Sequence, residues 1–134
     1  MIPTINNVLT TDLTIERQPS KNYRMNLERN TISGFCDGLE SMKQVCYKIL
    51  NTERYQHVIY PWNYGIELLD LLGKSVTYAC SEIPRRIKEA LLQDDRIIYV
   101  DNFNFDTTQK RTVLVSFTVH TVFGDVDMDK VVNV

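Results

Sequence analysis

Between Val113 and Phe123 apolar side chains recur at every second position. Val113, Val115, Phe117, Val119, Thr121 and Phe123 share one face of an extended chain, and Leu114, Ser116, Thr118, His120 and Val122 share the other. A period of two excludes a helix here and demands a sheet with one face covered. The cover has to come from upstream, where the period is 3.6. Leu39, Met42, Cys46 and Ile49 lie three or four apart, widened by Val45 and Leu50, and Ile83, Ile87, Ala90 and Leu91 form a second stripe. Helices first and strands last predict an α+β chain: two main helices packed on an antiparallel sheet with a long C-terminal β-hairpin.

Local signals set the expected boundaries. Asp37 followed by Glu40 reads as a capping box opening a helix that runs to Asn51-Thr52. The second helix spans Ser75 to Gln93 and is expected to break or restart at Ser81-Glu82-Ile83-Pro84, since proline lacks the N–H that a helix interior needs. Ile66 to Leu72 reads as a short helical segment closed by Gly73. Tyr55 to Gly65, with aromatics around Pro61, reads as an ordered loop or short strand. Asn22 to Phe35 reads as a hairpin with its turn at Glu28-Arg29-Asn30. In the last third, Ile97 to Phe105 pairs with the alternating run through a loop at Asp106 to Lys110, and a further short strand follows from Gly124. Residues 1–21 lack a sustained period and are expected to form an extended arm, with a strand near Leu13 to Ile15; residues 22–134 form the domain. A chain of 134 residues is long enough for one core.

Composition narrows the function classes. Fifteen basic against seventeen acidic residues leave a net charge of −2, too balanced for a phosphate-binding surface, so nucleic acid is not an expected partner. No apolar run is long enough to span a bilayer and no secretion signal opens at Met1, so a membrane is not expected either and the chain is expected to stay in the cytoplasm where it is made. Cys36, Cys46 and Cys80 are odd in number and lack metal-ligand spacing, which fits small apolar thiols in a reduced compartment.

Each chemical constellation has a plainer reading beside it. His57 and His120 have no nucleophile at a spacing that hints at catalysis. Glu82, Glu89, Asp94 and Asp95 contain the carboxylate pair a glycosidase would need, but they alternate with Arg85, Arg86 and Lys88 as a solvated or docking face does. Asp125, Asp127 and Asp129 resemble the start of a calcium loop, yet the sixth position is Lys130 where glycine is required. Tyr60, Trp62 and Tyr64 could stack on a ligand, although such clusters are more often core or interface. No cofactor is expected. The residues alone support an α+β domain with a strand edge open to a partner.

Several phrases carry a resemblance: Asp37-Gly-Leu-Glu40, Gln44 to Arg54, Ile59-Tyr-Pro-Trp-Asn-Tyr-Gly-Ile-Glu67, Leu71-Leu-Gly73 and Ile87 to Ile97. Over roughly residues 20–134 the chain resembles the XkdS-like family of Gram-positive phages and phage-tail-like bacteriocins. That family is similar to the lysozyme-like baseplate wedge subunit of myophages and to the TssE component of type VI secretion. The resemblance implies a lysozyme-like baseplate wedge fold and a structural, non-enzymatic subunit of a contractile tail baseplate. It would be assembled in the bacterial host cytoplasm, in multiple copies, joining the wedge to the sheath. Implied partners are the tail sheath protein, other wedge proteins, and hub or tube-proximal proteins. The family's Glu-Pro-Arg wedge-binding motif falls on Asp94, Asp95 and Arg96, of which only the arginine is retained. The terminal hairpin is similar to the strand-exchanging domain of sheath subunits. That places the expected sheath interface on Val113, Val115, Phe117, Val119, Thr121 and Phe123. The rival readings are a lysozyme-like enzyme acting on peptidoglycan through Glu82 or Glu89, and a cytosolic adaptor binding small ligands through Tyr60 to Tyr64.

Overall fold

The structure is a computed structural model that describes residues 19–134 together with Thr14 and Glu16. The strand expected near Leu13 to Ile15, and most of the expected arm, lie outside the described residues. The elements follow in the order β1 (Asn22–Asn26), β2 (Thr31–Cys36), α1 (Gly38–Leu50), a 3₁₀ turn (Leu69–Leu71), α2 (Val76–Leu91), β3 (Ile97–Asp106), β4 (Thr112–Thr121) and β5 (Gly124–Asn133). β1 and β2 form a separate antiparallel hairpin. The other three strands make an antiparallel sheet in the order β3-β4-β5. The fold is therefore α+β, with the sheet as its C-terminal third.

Helices α1 and α2 cover one face of that sheet, α2 beside β3 and α1 beside β5. The core joins Met42, Cys46 and Ile49 of α1, Ile83, Ile87 and Leu91 of α2, and the inward row Val113, Val115, Phe117 and Val119 of β4. Each of these side chains is almost fully buried. At about 1.5–3 kcal/mol per large apolar side chain removed from water, this layer outweighs any local preference of the segments that contribute to it.

Pro84 shows that competition. Contrary to the expected break, α2 runs unbroken through Pro84. Proline in a helix interior costs about 3 kcal/mol, but Ala79, Ile83 and Ile87 fall on one buried stripe only if the helix continues. Ser75 caps α2, its hydroxyl accepting from the Tyr78 N–H at 3.2 Å. Asp37 does cap α1, but through the Gly38 N–H at 2.7 Å. The reciprocal half of the expected capping box is not formed, because Glu40 turns outward to Arg24, 3.1 Å away.

The β4–β5 ladder is regular, ten consecutive pairs from Thr112↔Asn133 to Thr121↔Gly124. The β3–β4 ladder shifts register twice, between Ile97 and Tyr99 and between Asp101 and Asn104. Asn102 in the second bulge has φ +56°. Phe123, expected on the core face, instead sits 43 % exposed in the two-residue turn before β5. The alternation ends at Thr121, whose hydroxyl holds that turn by donating to the Gly124 carbonyl and accepting from the Phe123 N–H.

Candidate functional site

Two surfaces stand out. The first is a cleft of about 410 Å³ between the second half of α1 (Val45, Lys48, Ile49), the aromatic loop (Tyr60, Pro61, Asn63, Tyr64) and the stretch from Ala90 to Arg96. The loop is closed at its base by a parallel bridge between Glu53 and Ile66, with Ile66 N–H donating to the Thr52 carbonyl at 3.0 Å and Arg54 N–H to the Ile66 carbonyl at 3.1 Å. The crossing is so close that a β-carbon on Gly65, whose φ is +93°, would sit 2.6 Å from the Thr52 oxygen. The Glu53 carboxylate then accepts the N–H groups of Leu68 and Leu69, starting the 3₁₀ turn. Tyr60 and Tyr64 stack on each other with centroids 4.5 Å apart. Beyond this pinned base the loop carries bare apolar side chains into solvent: Val58 fully, Ile59 at 84 % and Trp62 at 74 % exposure.

The expected wedge-binding triplet borders this cleft but divides. Arg96 is buried, and its fork is occupied within the chain. Nε and Nη2 donate to the two oxygens of Asp94 at 2.9 and 2.7 Å, and Nη1 donates to the Pro19 carbonyl at 3.1 Å. Burial pushes the Asp94 carboxyl up, but the side-chain and backbone hydrogen bonds from Arg96 outweigh it and hold Asp94 below its ordinary value. Asp95 alone of the three is exposed. The arginine's visible work is to brace the turn into β3 and tie down the chain at Pro19.

The second surface is the rim of the sheet. Val113, Val115, Phe117, Val119 and Thr121 are buried on the inner face of β4, and β4 is the central strand, paired on both sides. Neither their side chains nor the β4 backbone can meet another chain in this fold. Within this three-stranded sheet, among the described residues, the outer edges of β3 and β5 are the ones that no other strand pairs. On the sheet's outer face His120 of β4 bridges Asp101 of β3 and Asp125 of β5, each at 2.7 Å, and stacks on Tyr99. The hydrogen bond with Asp101 chiefly, and that with Asp125, raise the His120 pKa above 6.5. The sequence shows this clamp only once the register pairs Asp125 with His120.

The hydrolase candidates are held as ion-pair partners. Glu82 pairs with Arg85 and with Arg86, and the hydrogen bond from Arg85 keeps its carboxyl below the ordinary range, the opposite of what a general acid needs. Glu89 pairs with the buried Arg54 at 2.7 Å. Asp125, Asp127 and Asp129 alternate along a straight strand rather than wrapping a centre, with Asp127 accepting from the Thr118 hydroxyl.

Known proteins agree with a structural part. The family of contractile injection system sheath initiators matches residues 13–124. The phage-like element PBSX protein XkdS of Bacillus subtilis (strain 168) is 38% identical over 120 residues, covering 87% of this chain and 84% of that protein. With most of its length matched on both counts, the chain belongs to the contractile injection system sheath initiator family, a family of structural proteins rather than enzymes.

Proposed function

We propose that this protein is the baseplate wedge subunit on which sheath assembly starts, and that it works by binding alone. Residues 22–134 act as the working domain, with residues 1–21 as an arm. The exposed tip of the aromatic loop, with Asp95 beside the cleft, faces neighbouring wedge proteins, and hub or tube-proximal proteins lie within the same assembly. The sheet rim faces the tail sheath protein, which adds a strand to it. Several copies follow the rotational symmetry of a tail, placing the protein in the particle's baseplate.

The observation that carries this reading is the pairing of a three-stranded sheet, unpaired at its rim among the described residues, with a separate apolar loop tip. Backbone groups at a rim supply affinity for a strand irrespective of sequence, and exposed aromatic and aliphatic side chains on a rigid base are what a protein interface buries.

The test is particle assembly without the chain and with a blunted loop. Particles lacking the protein should show baseplates without sheath by electron microscopy. Particles carrying Ile59→Ser with Trp62→Ser should lose the subunit from the baseplate by mass spectrometry, although the purified variant stays folded. Normal sheath on baseplates that lack the protein would overturn the reading. A lysozyme-like enzyme would instead predict cell-wall clearing that Glu82→Gln or Glu89→Gln abolishes.

A further inference from the structure

The two rims of the sheet are not equivalent. β3 is bulged twice, and Asn102 adopts a left-handed backbone, so its outer row of N–H and C=O groups changes direction along its length. Bulges of this kind are how natural sheets blunt an edge against pairing. β5 has no such interruption across its ten residues. Alongside β5 lies a groove of about 580 Å³, floored by Glu40, Lys43, Gln44 and Tyr47 of α1 and walled by Met25 and Leu27 of the first hairpin.

Resting on the strand-addition reading above, we propose that β5 is the accepting edge and that the strand it takes alternates apolar residues with lysine or arginine. The two faces of β5 dictate that pattern. A strand laid beside it turns every second side chain inward, toward a groove where Met25, Leu27, Tyr47 and Met128 offer apolar contacts among the polar Glu40, Lys43 and Gln44. The intervening side chains turn outward, beside Asp125, Asp127 and Asp129, all exposed and all on the outer face. Opposite charges across neighbouring strands attract and like charges repel, so this row selects a basic partner face. The same row rejects a second copy of the chain. Two β5 edges meeting antiparallel about Asp127 would set Asp125 against Asp129 and Asp127 against itself. The edge is thus protected from self-pairing while staying open to a strand of the other sign.

The experiment uses the full chain, isotopically labelled, with two synthetic ten-residue probes, one alternating valine with lysine and one alternating valine with glutamate. The lysine probe should slow amide exchange along β5 and leave β3 unchanged. Its affinity should exceed that of the glutamate probe and fall about tenfold in the variant Asp127→Lys with Asp129→Lys. Protection of β3 instead, equal affinity for the two probes, or binding of neither overturns the inference. So does protection of β5 without a probe, whether it grows with protein concentration, as a second copy would require, or vanishes when residues 1–18 are removed, as the chain's own arm would require. In particles, the double variant should keep the subunit and lose the sheath. Sheath lost only when substitutions fall on β3 leaves strand addition standing and refutes the choice of β5.

Discussion

Arg96→Ala is the perturbation with the clearest physical signature. The Arg96 and Asp94 side chains are 9% and 12% exposed and meet through both carboxylate oxygens. Deleting one partner of a pair this buried leaves the other charge without compensation and costs about 3–5 kcal/mol. At roughly 3–5 °C per kcal/mol for a chain of this size, Tm should fall by about 10–20 °C. The loss carries a pH signature. In the intact protein Asp94 has a lowered pKa, so its contribution is present above the unfolded value of about 3.9 and is lost as pH falls through the lower folded value. Without Arg96, burial outweighs the remaining hydrogen bonds and the folded pKa moves above about 3.9. The variant then regains stability as pH falls through that raised value. The gap between the two proteins should be widest near pH 7 and close toward pH 4. Urea unfolding followed by far-ultraviolet circular dichroism at several pH values measures it; Trp62, being 74 % exposed, is a poor reporter. Asp94→Ala with Arg96→Ala should cost less than Arg96→Ala alone. A loss under about 1 kcal/mol, or one that does not vary with pH, refutes this account of the pair.

Other outcomes follow from the same geometry. Gly65→Ala places a methyl 2.6 Å from the Thr52 carbonyl at φ +93°, and should destabilise by more than about 2 kcal/mol in thermal melts; an unchanged Tm would show that the loop base yields. Burial raises the Cys46 thiol to about 12, so at pH 8 a disulfide reagent should label the partly exposed Cys80 first and reach Cys46 only on unfolding. His120 is held charged by Asp101 and Asp125, so its stabilisation is fully present below pH 6.5 and is lost as pH rises through its raised folded pKa. His120→Gln should flatten stability across that window, and an NMR titration placing the native His120 at or below 6.5 would contradict the clamp.

The elements with a strong period were legible from residues alone. The stripes of α1 and α2, the alternation of β4 and the closing role of Gly73, whose φ is +83°, all sit where local geometry and burial agree. Legibility failed where distant groups compete for one residue. Glu40 could close a capping box or pair with Arg24, and only the placement of β1 beside α1 brings Arg24 within reach. Pro84 argues locally for a break, and the core overrides it. Arg96 reads as a free fork because nothing nearby in sequence announces that the Pro19 carbonyl lies against it.

By itself the sequence determined the α+β class, the helix faces, the strand that alternates and the resemblance to a contractile-tail family, because each depends on spacing along the chain or on identity residue by residue. Only the tertiary structure decided that β4 is the central strand, so that its alternating row marks the core and the unpaired backbone of this sheet, among the described residues, lies at the rim. The physical reason is that a period of two records that one face is buried, while strand order, which determines whose backbone is left unpaired, is decided by contacts between segments far apart in the chain.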